Sequence, residues 1–309
     1  MNNKLTIATA IVLIAGFGLL ADTGPAHTQA AGTPATITVG IYTPTVPFTN
    51  SAARLQYVQR LSKAIESATG AKVHGKSYAS FGALKSASPD FAIVDALCYS
   101  TNLKWNLLAN GEVDGKAATG WALYSRVGGG MPGLQGKKLS YVKTGCRDKD
   151  FTLNAMLDTE VSDKFFSAMV GKPTLSGAVA DVASFKTSSG VFAPAGQSSG
   201  LTKVFATHSV PGPAFVQVNG KLNKDVVAKV KKAVVGYGGG GAISGWGAAN
   251  DKPYNALKGQ LSTHVKRPLF AAPSPVRLSS GAVIKTPKSL DEAALTAVTQ
   301  HFDEPAKRQ

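Results

Sequence analysis

Along this chain apolar positions occur either in short unbroken runs or at helical spacing, and the alternation predicts an α/β fold. The clearest run is FAIVDA at 91–96, entered through the polar turn Ser88, Pro89, Asp90 and followed by Cys98 and Tyr99. A run apolar on both faces suits a parallel strand covered above and below by helices. Upstream, ITVGIYTP at 37–44 predicts a first strand, and Asn50 then caps a helix. Leu55, Val58, Leu61, Ile65 and Ala68 recur there at helical spacing until Gly70 stops it. A short strand around Val73 and a loop turning into a helix at 77–85 lead to the strand at 91–97. Residues 102–110 predict a further helix. This order requires a parallel sheet with right-handed crossovers.

The second half repeats the theme. WALYSRV at 121–127 predicts a fourth strand, closed by a triple glycine and Met131–Pro132, and KLSYVKTG at 138–145 opens a second α/β series. Residues 150–170 carry Phe151, Met156, Leu157, Val161, Phe165 and Met169 at near-helical spacing, and 190–196 predicts another short strand. The run from His208 to Pro213 is expected to break any regular element before a strand at 214–218. Asn223 caps a helix with Val226, Val227, Val230 and Val234 inward and lysines outward. The glycine loop at 236–247 lacks the Lys-Ser ending of a phosphate-cradling loop and is expected to be a helix exit. Residues 250–288 are poorly patterned, and a last helix is expected at 289–302.

Composition narrows the compartment and the partners. Residues 1–30 combine Lys4, an apolar stretch from Leu5 to Leu20 and small residues ending at Ala30, the pattern of a secretion signal cleaved near Ala30. A net charge of +15 comes from 33 Lys and Arg against 18 Asp and Glu. The lysines are dispersed and no aromatic-basic cluster interrupts them, so no nucleic-acid partner is expected and the charge is assigned to a solvated surface. The five histidines are scattered and the two cysteines have no metal-ligand spacing, so no metal or cofactor is expected. No nucleophile elbow, HExxH motif or paired-carboxylate spacing marks an enzyme.

The order ITVGIYTP, helix, SYASFGALK, SPDFAIVDALCYS, LSYVKTG and HSVPGPAFVQVNGKLNKDVVAKVKKAVVGY resembles the phosphate/phosphonate-type periplasmic solute-binding proteins of ABC importers, over roughly residues 35–240. The resemblance implies a two-lobed type 2 periplasmic-binding-protein fold, each lobe a mixed sheet flanked by helices, closing over an interlobe cleft. Lobe 1 is expected at 31–127 plus 214–309 and lobe 2 at 128–213, with hinge crossings near 126–132 and 211–215. It further implies a periplasmic monomer that hands its ligand to inner-membrane transporter components.

Ligands of open α/β sheets sit outside the carboxyl ends of the strands. That rule places Tyr42, Thr43, Thr45, Tyr78, Phe81, Asp95, Tyr99, Tyr124, Thr144, Cys146 and Arg147 around the cleft. The family's Ser/Thr-rich anion turn is reduced here to KTGCRDKDF at 143–151, where only Thr144 brings a hydroxyl and Asp148 and Asp150 repel an anion. Together with the aromatic lining, this favours a largely apolar, sterol-like lipid ligand. The alternatives are a phosphate- or phosphonate-like small anion and, third, an exported enzyme. Cys98 and Cys146 fall past strand ends in different lobes, and a bridge needs their Cα atoms within about 7 Å. Free thiols are therefore expected, with Cys146 in the ligand wall.

Overall fold

The computed structural model describes residues 36–184, 187–198 and 200–262; the expected leader and the helix expected at 289–302 lie outside them. In chain order, β1 (Thr36–Tyr42) leads through α1 (Ser51–Thr69) to β2 (Lys72–Ser77), then through α2 (Phe81–Ala87) to β3 (Phe91–Val94), α3 (Ala96–Ser100) and β4 (Asn106–Glu112). The next stretch holds β5 (Ala118–Ser125), α4 (Gly130–Leu134), β6 (Lys138–Val142) and α5 (Asp148–Asp150), which runs into a π-helical turn, Phe151–Met156. β7 (Ala168–Lys172), α6 (Leu175–Ala183), β8 (Gly190–Pro194) and β9 (Thr202–Pro211) follow. The chain ends with β10 (Ala214–Gln217), α7 (Lys224–Val235), β11 (Gly245–Ala248) and α8 (Lys252–Leu261).

These strands form two separate mixed sheets, ordered β11-β4-β10-β3-β1-β2 and β7-β6-β8-β5-β9. In the first, β10 runs antiparallel to its neighbours β3 and β4; in the second, β5 runs antiparallel to β8 and β9. Each of these strands carries the chain in from the other sheet. The crossings are therefore the turn at 113–117, between β4 and β5, and Gly212–Pro213, between β9 and β10. They run side by side: Gly111 N–H donates to the Pro213 carbonyl at 2.7 Å and Gly212 N–H to that of Ala117 at 2.8 Å. A Cβ on Gly212 would lie 2.0 Å from the Gly111 carbonyl oxygen, so only glycine lets the two strands approach this closely.

Local chemistry explains most elements. The Asn50 side chain accepts from Ala53 N–H at 2.8 Å, and Gly70, at φ 75°, ends α1 by donating to Glu66. The face α1 buries is Tyr57, Val58, Leu61 and Ile65; Leu55 and Ala68, expected inward, are exposed. Four further expectations are corrected. Residues 102–110 do not form a helix but enter β4, because β10 and β11 supply hydrogen-bonding partners on both its edges. Strand 121–127, placed in the first lobe, pairs in the second sheet as β5. The first crossing thus precedes that strand and is not at 126–132. Residues 208–211 do not break structure but complete β9, an edge strand, where Pro211 removes no internal ladder bond. Helical spacing at 150–170 yields only the short α5 and the π-helical turn before β7.

Buried side chains form three clusters. One packs α1 and α7 on the outer face of the first sheet, around Val58, Leu61, Ile65, Phe215 and Val230. A smaller one packs α6 on the second sheet, around Val142, Ala178, Val182 and Val191. The largest joins both sheets, running from Tyr42, Phe81 and Leu97 to Trp121, Leu139, Phe151 and Phe192, with Tyr254 and Leu257 of α8. The seam between the lobes is thus packed as a core.

Candidate functional site

The carboxyl ends of β1 and β3 meet the end of β6 across this seam. On the first lobe's side, Asp95 follows β3 and is 2% exposed. Its carboxylate accepts from Leu97 N–H at 3.1 Å, from Thr45 N–H at 3.2 Å and from the Thr45 hydroxyl. No ion pair reaches it among the described residues. Burial pushes its carboxyl above the ordinary range against the lowering effect of those hydrogen bonds, and the nearby Asp148 adds to the rise. Thr43, next to Tyr42, is buried, and its hydroxyl finds no hydrogen-bond partner among the described residues.

On the second lobe's side the turn after β6 is organised by Asp148. Its carboxylate accepts from Thr144 N–H at 3.0 Å, from Gly145 N–H at 2.9 Å and from the Thr144 hydroxyl. The amide and hydroxyl donors expected to hold an anion are present, but the chain's own carboxylate occupies them. Across the seam the Tyr42 hydroxyl donates to the Thr144 carbonyl at 3.0 Å. Burial pushes that phenol well above its ordinary pKa, with Asp95 and Asp148 adding to the effect.

Cys98 and Cys146 are joined in a disulfide, with Cα atoms 5.0 Å apart, correcting the expectation of free thiols. Separate lobes made a pairing look improbable, but α3 turns Cys98 back onto the seam and the Thr144–Cys146 turn brings its partner up to it. Other contacts join the lobes. Leu175 N–H donates to the Pro44 carbonyl, and α8 bridges from one side. Within α8, the Tyr254 ring stands edge-on to Tyr99, and its hydroxyl donates to the Gly212 carbonyl at 3.1 Å. The Leu261 carbonyl accepts from Arg147 and from Asn154 of the π-helical turn.

The structure brings Tyr42, Thr43, Thr45, Asp95, Thr144 and Cys146 to the seam. Phe81 packs behind Tyr42 and against Trp105, and the half-buried Tyr78 packs against the same cluster. Tyr99 belongs to the α8 contact. Two residues are not in the site. Tyr124 lies at the far end of β5 opposite Val191, packed with the α6 cluster, because β5 enters from the seam and its carboxyl end points away. Arg147 turns to Asp150, at 2.8 Å, and to the Leu261 carbonyl of α8 and away from the turn at Thr144. Sequence reasoning missed Trp121, at the seam end of that same reversed strand, and the part Asp148 plays in holding the Thr144–Gly145 turn. An Asp four residues after a Thr in a glycine turn was the available signal for the latter.

Little space remains. The cavity at the seam holds about 30 Å³, lined by Thr45, Ala96, Thr119, Trp121, Gln197 and Gly212 among others. That is water-sized, whereas pockets for small organic ligands run to roughly 300 Å³ or more. The aromatic residues expected to line a lipid pocket pack against one another. The larger hollows are open grooves beside α1, of about 440 and 620 Å³, on the first lobe's outer surface. Among the described residues no helix is long and apolar enough to cross a membrane, and no group of three or more His, Cys, Asp or Glu is placed to hold a metal ion.

No protein-family model and no curated protein matches this sequence. Solved structures do share its architecture. The Xanthomonas citri protein XAC2383, in a structure bound to ATP, aligns at TM-score 0.58 and 9% identity, covering 74% of this chain and 97% of that one. PhnD1 from Prochlorococcus marinus, in complex with methylphosphonate, aligns at TM-score 0.57 and 12% identity, with the same coverages of 74% and 97%. A binding-protein component of an ABC phosphonate transporter from Pseudomonas aeruginosa gives 0.57 and 12%, covering 73% of this chain and 85% of that one. The likeness is one of fold: two mixed sheets flanked by helices, in the type 2 periplasmic-binding-protein arrangement.

Proposed function

We propose that this chain is a periplasmic solute-binding protein of the ABC-importer kind, and that its interlobe site takes a small anion bearing a phosphate or phosphonate group. The observation that carries this reading is the pair of donor turns facing each other across the seam. Thr45 and Leu97 amides with the Thr45 hydroxyl stand on one side, and Thr144 and Gly145 amides with the Thr144 hydroxyl on the other. Such convergent N–H and O–H groups suit oxyanions, whose oxygens accept several hydrogen bonds at once. Two similarly folded proteins, with ATP and with methylphosphonate, carry ligands of that class. The aromatic residues expected to line a sterol pocket pack against one another, so the apolar reading is given up. An anion must displace Asp148 from its turn, and the lobes must part to admit it.

A different observation favours a second reading. Both donor turns are already satisfied by Asp95 and Asp148, and a covalent bridge joins the lobes, so the chain is complete without a solute and its outer surface could be what a partner reads. One experiment separates the two. The chain is unfolded, reduced, then refolded and reoxidised in excess methylphosphonate or inorganic phosphate, and the phosphorus retained after gel filtration is counted by ³¹P NMR. The solute-binding reading expects one anion per chain for at least one of them. Retention of neither overturns it and leaves the surface reading.

A further inference from the structure

We propose that the Cys98–Cys146 bridge is a redox lock on the interlobe site: bridged, the lobes stay shut, and reduction by a protein dithiol frees them to part. The regulatory meaning of the lock rests on the solute-binding reading above, whereas its mechanics do not.

The argument is geometric. The bridge joins α3 of the first lobe to the turn after β6 of the second, beside Thr144 and Asp148. With the Cα atoms 5.0 Å apart and a disulfide ceiling of about 7 Å, only about 2 Å of separation is available at that point. Admitting a solute into a cavity of about 30 Å³ requires more. Every other link across the seam is a single hydrogen bond or a packing contact that can break and re-form, as with Tyr42 on Thr144, Leu175 on Pro44, or Arg147 and Asn154 on α8. Apart from the two chain crossings, the bridge is the one covalent link between the lobes among the described residues.

Reduction is chemically accessible from one side. Both sulfurs are buried, Cys98 wholly and Cys146 at 4% exposure, but Cys146 sits in a turn between the exposed Gly145 and Arg147, so local opening of that turn is what presents its sulfur to a dithiol. A dithiol reductant attacks one sulfur, the Sγ–Sγ bond breaks, and two electrons and two protons pass to the cysteines while the dithiol leaves as its own disulfide. In an oxidising compartment the bridge persists until such a reductant acts.

The test compares the bridged protein, the same protein after a phosphine reductant (two thiols verified by titration) and a C98S/C146S variant. Hydrogen exchange is read at the Leu175 amide, whose bond to the Pro44 carbonyl crosses the seam, with the amides of the β1–β3 ladder as internal reference. The lock expects at least tenfold faster exchange at Leu175 once the bridge is gone, with the ladder unchanged and a larger radius of gyration in solution. Unchanged seam exchange, or equal acceleration of the ladder, overturns it. So does a bridge that cannot be reduced short of global unfolding. If the serine variant does not fold, the reduced wild-type protein decides. Calorimetry with inorganic phosphate and methylphosphonate adds a second arm. Anion binding only after unlocking supports the lock and the ligand class together. Opening without binding supports the lock and removes the ligand class, and binding by the fully bridged protein overturns the lock.

Discussion

The two turns that face each other across the seam do similar work in different surroundings. Asp95 and Asp148 each follow a strand end, and each gathers two backbone amides and a threonine hydroxyl. Asp95 is wholly buried and ties together two distant stretches, its own turn and Thr45, fifty residues earlier. Asp148 is half-buried, and its partners lie three and four residues away. The first turn is part of a lobe's core, whereas the second is a local arrangement that can rearrange at modest cost. On the proposed solute-binding reading, the second lobe's turn is the side expected to yield to a ligand.

The largest effect expected on this comparison comes from the bridge that couples the two turns. Closing a loop with a sequence separation of 48 contributes about 4 kcal/mol on the chain-entropy estimate, so C98S/C146S should lower the unfolding free energy by about that much in urea titrations. A loss below about 1 kcal/mol would mean that the unfolded chain or the packed seam already supplies the constraint. Next comes Asp95→Ala, which leaves the buried Thr45 and Leu97 amides without an acceptor and should cost about 2–3 kcal/mol by the same measurement.

The pH dependence sharpens that point. Because burial raises the native pKa of Asp95, the folded state holds its proton to higher pH than the unfolded chain does. Stability should therefore fall as pH rises from the ordinary carboxylate range near about 4 through the raised native value, and stay lower above it. Asp95→Asn should remove this limb of the urea-midpoint profile. A profile unchanged in Asp95→Asn would show that the carboxylate is no costlier there than in water.

Asp148→Ala should cost only about 1 kcal/mol, the ordinary net worth of hydrogen bonds in a half-buried local turn. In the unlocked C98S/C146S background it should also tighten phosphate binding at least tenfold by calorimetry, because the resident carboxylate no longer competes for the amides. Weaker phosphate binding would make Asp148 part of the ligand seat and break the comparison. The smallest effect is expected from Tyr42→Phe, which removes one interlobe hydrogen bond and should cost about 0.5–1 kcal/mol. Its exchange signature should be confined to the seam.

Much of this molecule is legible from its residues. Asn50, Gly70 and Asn223 end helices where their side chains or backbone freedom demand, and the runs at 37–44, 91–97, 138–145, 190–196 and 214–218 all contain strands. These signals are local: a cap needs only neighbouring amides, and an unbroken apolar run needs only two covered faces. The failures share a cause as well. Leu107, Leu108 and Ala109 read equally as a buried helix turn or a strand until β10 and β11 are present to pair with them. Pro211 reads as a breaker until its strand proves to lie at a sheet edge. Tyr124 reads as a site residue until β5 is found to run the other way.

By itself, then, the sequence determined an α/β chain of two strand–helix series, with a concentration of polar and cysteine residues at the strand ends, because periodicity and capping are properties of adjacent residues. Only the tertiary structure decided what those ends do to one another. Tyr42 reaches Thr144, and Cys98 meets Cys146. Each of these needs the two sheets at a particular distance and orientation, and contacts between residues 48 to 102 positions apart leave no trace in local spacing.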